Sequence, residues 1–156
     1  MSYYAHTVSQ TALSAVNDKP RAMNWERAGI LYARLALGSA FLSAVAARFG
    51  LWHGRLDVKH FASFLEYAGE VLSFMPKASI PFLAWSATVC ETSLGILLIL
   101  GLWPRWVSTA AAVLLAMFGT AMAISFGLQS PMDYSVFSAS SAAILLALHA
   151  SRQRTK

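Results

Sequence analysis

Four long apolar stretches, parted by short turn-forming segments, leave this chain little choice of fold. They cover about residues 28–49, 81–102, 107–126 and 134–150. At 1.5 Å per residue the first is roughly 30 Å long, enough to cross the hydrocarbon core of a bilayer. The fourth is shorter and is expected to stand upright or to lie in thinned lipid. Composition agrees, with 57% hydrophobic and 12% charged residues, where a soluble domain has about 25% charged. The expectation is an all-α integral membrane four-helix bundle over 28–150. A tail over 1–27 and a basic tail over 151–156 flank it.

Local signals set the element boundaries. Gly50 ends the first stretch, and a mixed segment follows. In it Val58, Phe61, Phe64, Leu65, Ala68, Leu72 and Met75 recur at helical spacing, with Lys59, Ser63, Glu66, Glu70 and Ser73 on the other face. This predicts an external amphipathic surface helix over about 57–75, too polar to span, lying on the membrane or capping the bundle. Met75-Pro76 is expected to end it. Pro81 opens the second span at a tolerated first-turn position. Trp103-Pro104-Arg105-Trp106 predicts a tight turn with aromatic anchors at headgroup depth. Gln129-Ser130-Pro131 predicts another turn, and Asp133 is expected to cap the last helix. Residues 1–27 lack the apolar core of a secretory signal, so no cleavage is expected.

The net charge of +5 comes from basic residues at span ends and termini rather than along one face. That pattern suits anionic headgroups and argues against nucleic acid. Lys19, Arg21, Arg27, Arg105, Arg152, Arg154 and Lys156 fall on one side. Arg55, Lys59 and Lys77 fall on the other, with three carboxylates beside them. Both termini are therefore expected in the cytoplasm. The lone Cys90 excludes an intramolecular disulfide and a multi-cysteine metal site. His53, Asp57 and His60 have a spacing that metal ligands share, but solvated loop histidines show it as often, and no metal is assigned.

Glu91 is the residue that such a bundle must explain. An ionisable group at bilayer depth costs about 2.5–3.5 kcal/mol on insertion scales and belongs in a protein interior or wet cavity, beside a partner. Arg34 and Arg48 are the candidate partners, about four turns apart on one face of the first span. Helical side chains lean toward their own amino terminus, which favours Glu91–Arg48 over Glu91–Arg34 or places a water between them. Two readings stay open: a polar pocket that moves a proton or holds a polar head group, and a structural ion pair that locks the helices. Small and polar residues predict close helix contacts: Thr88, Glu91, Thr92 and Gly95 on the second span, with Ala112, Ala116, Gly119 and Ala123 on the third. Ser138, Ser141 and Ala142 do the same on the fourth. Cys90 lies about 100° from Glu91 around the helix and cannot share its face.

Arg34-Leu35-Ala36-Leu37-Gly38, Phe41-Leu42 and Arg48-Phe49 resemble the opening helix of the DoxX family of bacterial membrane proteins. Glu91, the run Leu94-Gly95-Ile96-Leu97-Leu98-Ile99-Leu100-Gly101-Leu102 and Arg105 are similar to its second-helix signature. The likeness covers about 30–150. Val45 stands where the family often has glycine, and Arg48 replaces the commoner lysine. The resemblance implies a four-helix inner-membrane protein; related DoxD proteins belong to a thiosulfate:quinone oxidoreductase, and other relatives are linked to membrane redox complexes. The leading expectation is a small redox-complex subunit with no covalent cofactor, binding quinone reversibly. Glu91 would handle the proton, and Arg34, Arg48 and Thr88 would line the site. Two rivals are a non-catalytic scaffold that docks a soluble oxidoreductase and a small-solute or proton carrier, which would need to form a homo-oligomer.

Overall fold

The computed structural model describes residues 25–54 and 58–153. Most of the expected 1–27 tail and the end of the 151–156 tail lie outside that range, as do Arg55 and Asp57. Helix α1 spans Trp25–Arg48, α2 Val58–Val71, α3 Ile80–Leu100, α4 Pro104–Phe126, α5 Gln129–Asp133 and α6 Val136–Arg152. Short 3-10 turns cover Leu51–His53 and Lys77–Ser79. No strand occurs among the described residues. In hydrocarbon every backbone donor and acceptor must be satisfied within the chain, and helices do this segment by segment.

Three helices, α1, α3 with its leading turn, and α4, are long and apolar enough to cross a membrane. The 17-residue α6 is a shorter apolar helix that completes the all-α bundle. Within these spans only 17% of the apolar window of α1 is buried, against 33% and 39% for α3 and α4. Thus α1 leaves most of its surface outside the bundle and meets it chiefly along a seam with α3.

That seam is a glycine crossing. Helix α1 packs chiefly on α3, and α4 on α6, while α3–α4 and α1–α6 contacts close the bundle. A Cβ on Gly38 would lie 2.9 Å from Gly95 O and 2.7 Å from Ile99 Cγ1; one on Gly95 would lie 3.0 Å from Gly38 O. The two backbones therefore touch at a depth no larger residue allows. The other pair packs on alanines: Ala111 and Ala143 are wholly buried, and Ser140 Oγ donates to Ala112 O at 2.9 Å.

Three differences from the sequence reading bear on how the helices pack. First, α2 stops at Val71 rather than near Met75, because the chain there is held by α4. Ser125 Oγ donates to Val71 O at 2.7 Å and lies 3.0 Å from Ser73 Oγ, while Met75 N closes a turn on Leu72 O. Second, Asp133 does not cap the last helix. It ends the short α5, whose Pro131 is buried. Ser135, at φ 53, then breaks the chain before α6. Third, α6 presents Ser140, Ala143 and Leu146 to the bundle. Ser138 and Ser141 are exposed instead, the hydroxyl of Ser141 being satisfied by Ser138 O of its own helix.

Candidate functional site

The candidate site lies where α1 ends against the first half of α3, beneath α2. On α3 the residues Ile80, Ala84, Thr88, Glu91, Gly95 and Leu98 form the buried face, each three or four positions from the next as on one side of a helix. Glu91 is therefore drawn inside by its neighbours, and it is only 2% exposed.

Arg48, at the last turn of α1, supplies its partner. Its Nη2 lies 2.7 Å from Glu91 Oε1, within the range of charge-assisted bonds. Its Nη1 donates to Thr88 Oγ1 at 3.0 Å. Thr88 in turn donates to Ala84 O at 2.8 Å. That hydroxyl has one hydrogen, so the back-bond fixes it as an acceptor toward Arg48. Thr88 thus aims the guanidinium, and the guanidinium aims the carboxylate. The second carboxylate oxygen, Oε2, is buried with no hydrogen-bond partner, a state shared among the buried side chains of the described residues only by Ser108 Oγ.

An aromatic group roofs the pair. The Phe64 ring lies 4.0 Å from Arg48 Cζ, at cation–π distance. Phe61, buried, stacks on Phe49 with centroids 5.4 Å apart and meets Trp85 at a 37° tilt with centroids 4.3 Å apart. The sequence reading placed Phe61 and Phe64 on the apolar face of a helix lying on the membrane or capping the bundle, but named neither as a neighbour of Arg48. Their signal was present, since Arg48-Phe49 adjoins a helix whose apolar face carries two rings three residues apart.

Arg34 is at the other end of the same seam. Its Nε donates to Leu98 O at 3.0 Å and its Nη2 to Ile99 O at 3.3 Å. These are carbonyls at the carboxyl end of α3, which lack partners within the helix. A cation also suits the negative end of the helix dipole. Gly101, at φ +74, ends α3 there, and any Cβ on it would strike the Arg34 guanidinium. The structure therefore joins Arg48, Thr88 and Glu91 and sets Arg34 apart as a helix cap. Cys90 is exposed on the far side of α3. Among the described residues no group of three or more His, Cys, Asp or Glu side chains is placed to hold a metal.

A family model, DoxX, matches residues 29–126. The chain belongs to the DoxX family. The matched stretch contains Arg34, Arg48, Phe64, Thr88 and Glu91, so the whole ion-pair site lies within the family domain. No curated protein and no solved structure matches the chain. With three helices of spanning length and composition, this DoxX protein is a membrane protein.

Proposed function

We propose that this DoxX protein is a small subunit of a membrane-associated redox complex in the bacterial inner membrane. In this reading it binds a quinone head group beside Arg48 and Glu91, with both termini in the cytoplasm. The observation that carries the reading is Glu91 Oε2: a buried carboxylate oxygen without a partner on a residue 2% exposed. An ionisable group at bilayer depth is a functional site by default, and an orphaned acceptor is costly unless a ligand completes it. A quinol hydroxyl is such a donor.

The chemistry follows from the donors at hand. Quinone takes up two electrons and two protons to become quinol. Electrons would come from a soluble oxidoreductase partner; Glu91 would pass one proton to or from the ring oxygen beside it, and the other ring oxygen would exchange its proton with water. Arg48 has five N–H groups, so bonds to Thr88 and Glu91 leave donors for a quinone carbonyl. The rings of Phe49, Phe61, Phe64 and Trp85 give a planar head group faces to stack on, and the apolar helix walls suit an isoprenoid tail.

Titration of the purified protein with a short-chain ubiquinone or menaquinone tests this. Saturable binding is expected in the native chain and loss of at least tenfold in affinity in Glu91→Gln, with normal insertion and extraction. Equal affinity in the two proteins overturns the reading. A soluble enzyme co-purifying through α2, with no quinone bound, would instead favour the scaffold; solute flux in proteoliposomes would favour the carrier.

A further inference from the structure

Helix α3 runs from Ile80 to Leu100, so Glu91 stands near its middle. Depth alone therefore does not decide from which face of the membrane a proton reaches the carboxylate. Packing does. On the α2 side one side chain separates it from the surface: Arg48 ends α1, holds Glu91 Oε1 at 2.7 Å and is itself 12% exposed. The exposed Trp52 follows four residues later. An arginine and a tryptophan at the end of a span belong to the hydrated headgroup layer.

The other side is closed. Among the described residues the first charge met there is Arg34, bonded to Leu98 O and Ile99 O. Leu98 is seven residues beyond Glu91, about 10 Å along the helix. Between the two charges lie Leu37 and Phe41 of α1 and Leu94 and Leu98 of α3. They pack in one apolar cluster with Val107 and Ala111 of α4 and Ala143 and Leu146 of α6. The contact of Gly38 with Gly95 shuts the α1–α3 seam in the same layer. The hydroxyls at hand form no relay across it. Thr92 gives its hydrogen to Thr88 O and Ser140 gives its own to Ala112 O, while Ser108 Oγ makes no hydrogen bond. A charge entering such a layer bears its desolvation cost without compensation. The ionisable groups on and around α3 divide likewise. Near Arg48, α2 carries Lys59, His60, Glu66, Tyr67 and Glu70, and the turn before α3 carries Lys77; at the far end α1 has Glu26, Arg27, Tyr32 and Arg34, and α4 has Arg105.

We infer that Glu91 exchanges its proton with the α2 face of the membrane alone, past Arg48, and that the bundle passes no proton from face to face. This one-sided exchange rests on the reading of Glu91 as a proton-handling group, and it gives the quinone chemistry a direction. In quinone reduction the Glu91 carboxyl gives its proton to the ring oxygen and is reprotonated from the α2 face, the electrons coming from the partner oxidoreductase. In quinol oxidation the carboxylate takes the proton and releases it to that face, and the electrons return to the partner. With both termini in the cytoplasm, the α2 face is the external one. A proton carrier needs a group that opens to each face in turn, so the apolar layer beyond Glu91 counts against that rival.

Infrared difference spectroscopy tests this without any quinone. The carbonyl stretch of the protonated Glu91 carboxyl is the band that the native chain shows and Glu91→Gln lacks. The native protein is placed in phospholipid vesicles while held by an amino-terminal affinity tag, so that all copies face one way, and the pH is set separately inside and outside. The working range is the one in which the band titrates in the detergent-solubilised protein. There, one pH unit on the α2 face is expected to change the ratio of protonated to ionised Glu91 about tenfold, as a single titrating group requires. One unit on the other face is expected to leave the ratio within twofold. A band that follows the other face, or both faces, overturns the one-sided exchange. So does the lack of any such band at every pH at which the protein is folded, since Glu91 then takes up no proton. If the band follows the α2 face and no quinone binds, the one-sided exchange stands and the quinone reading falls; if quinone binds and the band follows both faces, only the one-sided exchange falls.

Discussion

The Arg48–Glu91 pair makes a quantitative claim about stability that a double-mutant cycle can settle. Arg48→Met keeps the length and apolar stem of the side chain but removes the guanidinium. It leaves Glu91 inside the bundle with Oε1 stripped of its 2.7 Å partner and Oε2 still without one. Breaking a buried pair in this way costs about 3–5 kcal/mol. The lower end applies here, because Arg48 is 12% exposed and water can approach from its side. Glu91→Gln removes the charge and keeps an acceptor in place, at a cost of about 1–2 kcal/mol. With both changes the uncompensated charge is gone, so the double variant should be more stable than Arg48→Met alone. The expected coupling is about 2 kcal/mol, well outside the error of such cycles. Reversible unfolding in mixed micelles, followed by far-ultraviolet circular dichroism, measures it. Additive losses in the double variant would mean that the carboxylate does not depend on Arg48, and the site as described would be wrong.

The other expectations are simpler. Gly95→Ala forces a methyl group to 3.0 Å from Gly38 O and 2.9 Å from Leu42 Cγ, so it should destabilise the fold by about 1–3 kcal/mol through overpacking, read in the same unfolding assay. Arg34→Ala removes two bonds to the end of α3 and should cost about 1–3 kcal/mol while leaving quinone affinity within twofold, read by unfolding and titration. Arg34→Lys should not restore the loss, since an ammonium cannot span both carbonyls as the planar guanidinium does; full recovery would show that charge alone closes the helix.

The reach of the sequence was uneven, and the reasons are physical. The all-α fold class and the three long apolar helices followed from stretch length and hydropathy, because a bilayer permits few other structures. The placement of Glu91 inside the bundle followed from the cost of an ionisable group at bilayer depth, and Thr88 and Gly95 of its expected ridge do lie on the buried face. What escaped were features set by contacts between distant segments. The end of α2 at Val71 depends on Ser125, 54 residues away. The roof over Arg48 depends on a ring of α2 that periodicity marks only as apolar. The inward face of α6 was misjudged because serine can satisfy its hydroxyl on its own helix, so hydroxyls at helical spacing do not by themselves mark a packing face.

The division of labour between the two arginines follows from the glycine seam. Arg34 and Arg48 sit on the same side of α1, one within the helix and one in its last turn. Their tasks are assigned by what lies opposite on the antiparallel α3. The contact of Gly38 with Gly95 fixes the depth at which the two helices cross and hence the register on both sides of it. Toward the start of α1 that register sets Arg34 against Leu98, Ile99 and Gly101, where free carbonyls await a donor. Toward its end the same register sets Arg48 against Thr88 and Glu91. A side chain larger than glycine at the crossing would push the helices apart, and a carboxylate bond of 2.7 Å has little length to give. The polar site is therefore held in place by the least polar and smallest residues of the seam. Tolerance at Gly38 and Gly95 should track the integrity of the ion pair rather than the hydrophobicity of the spans.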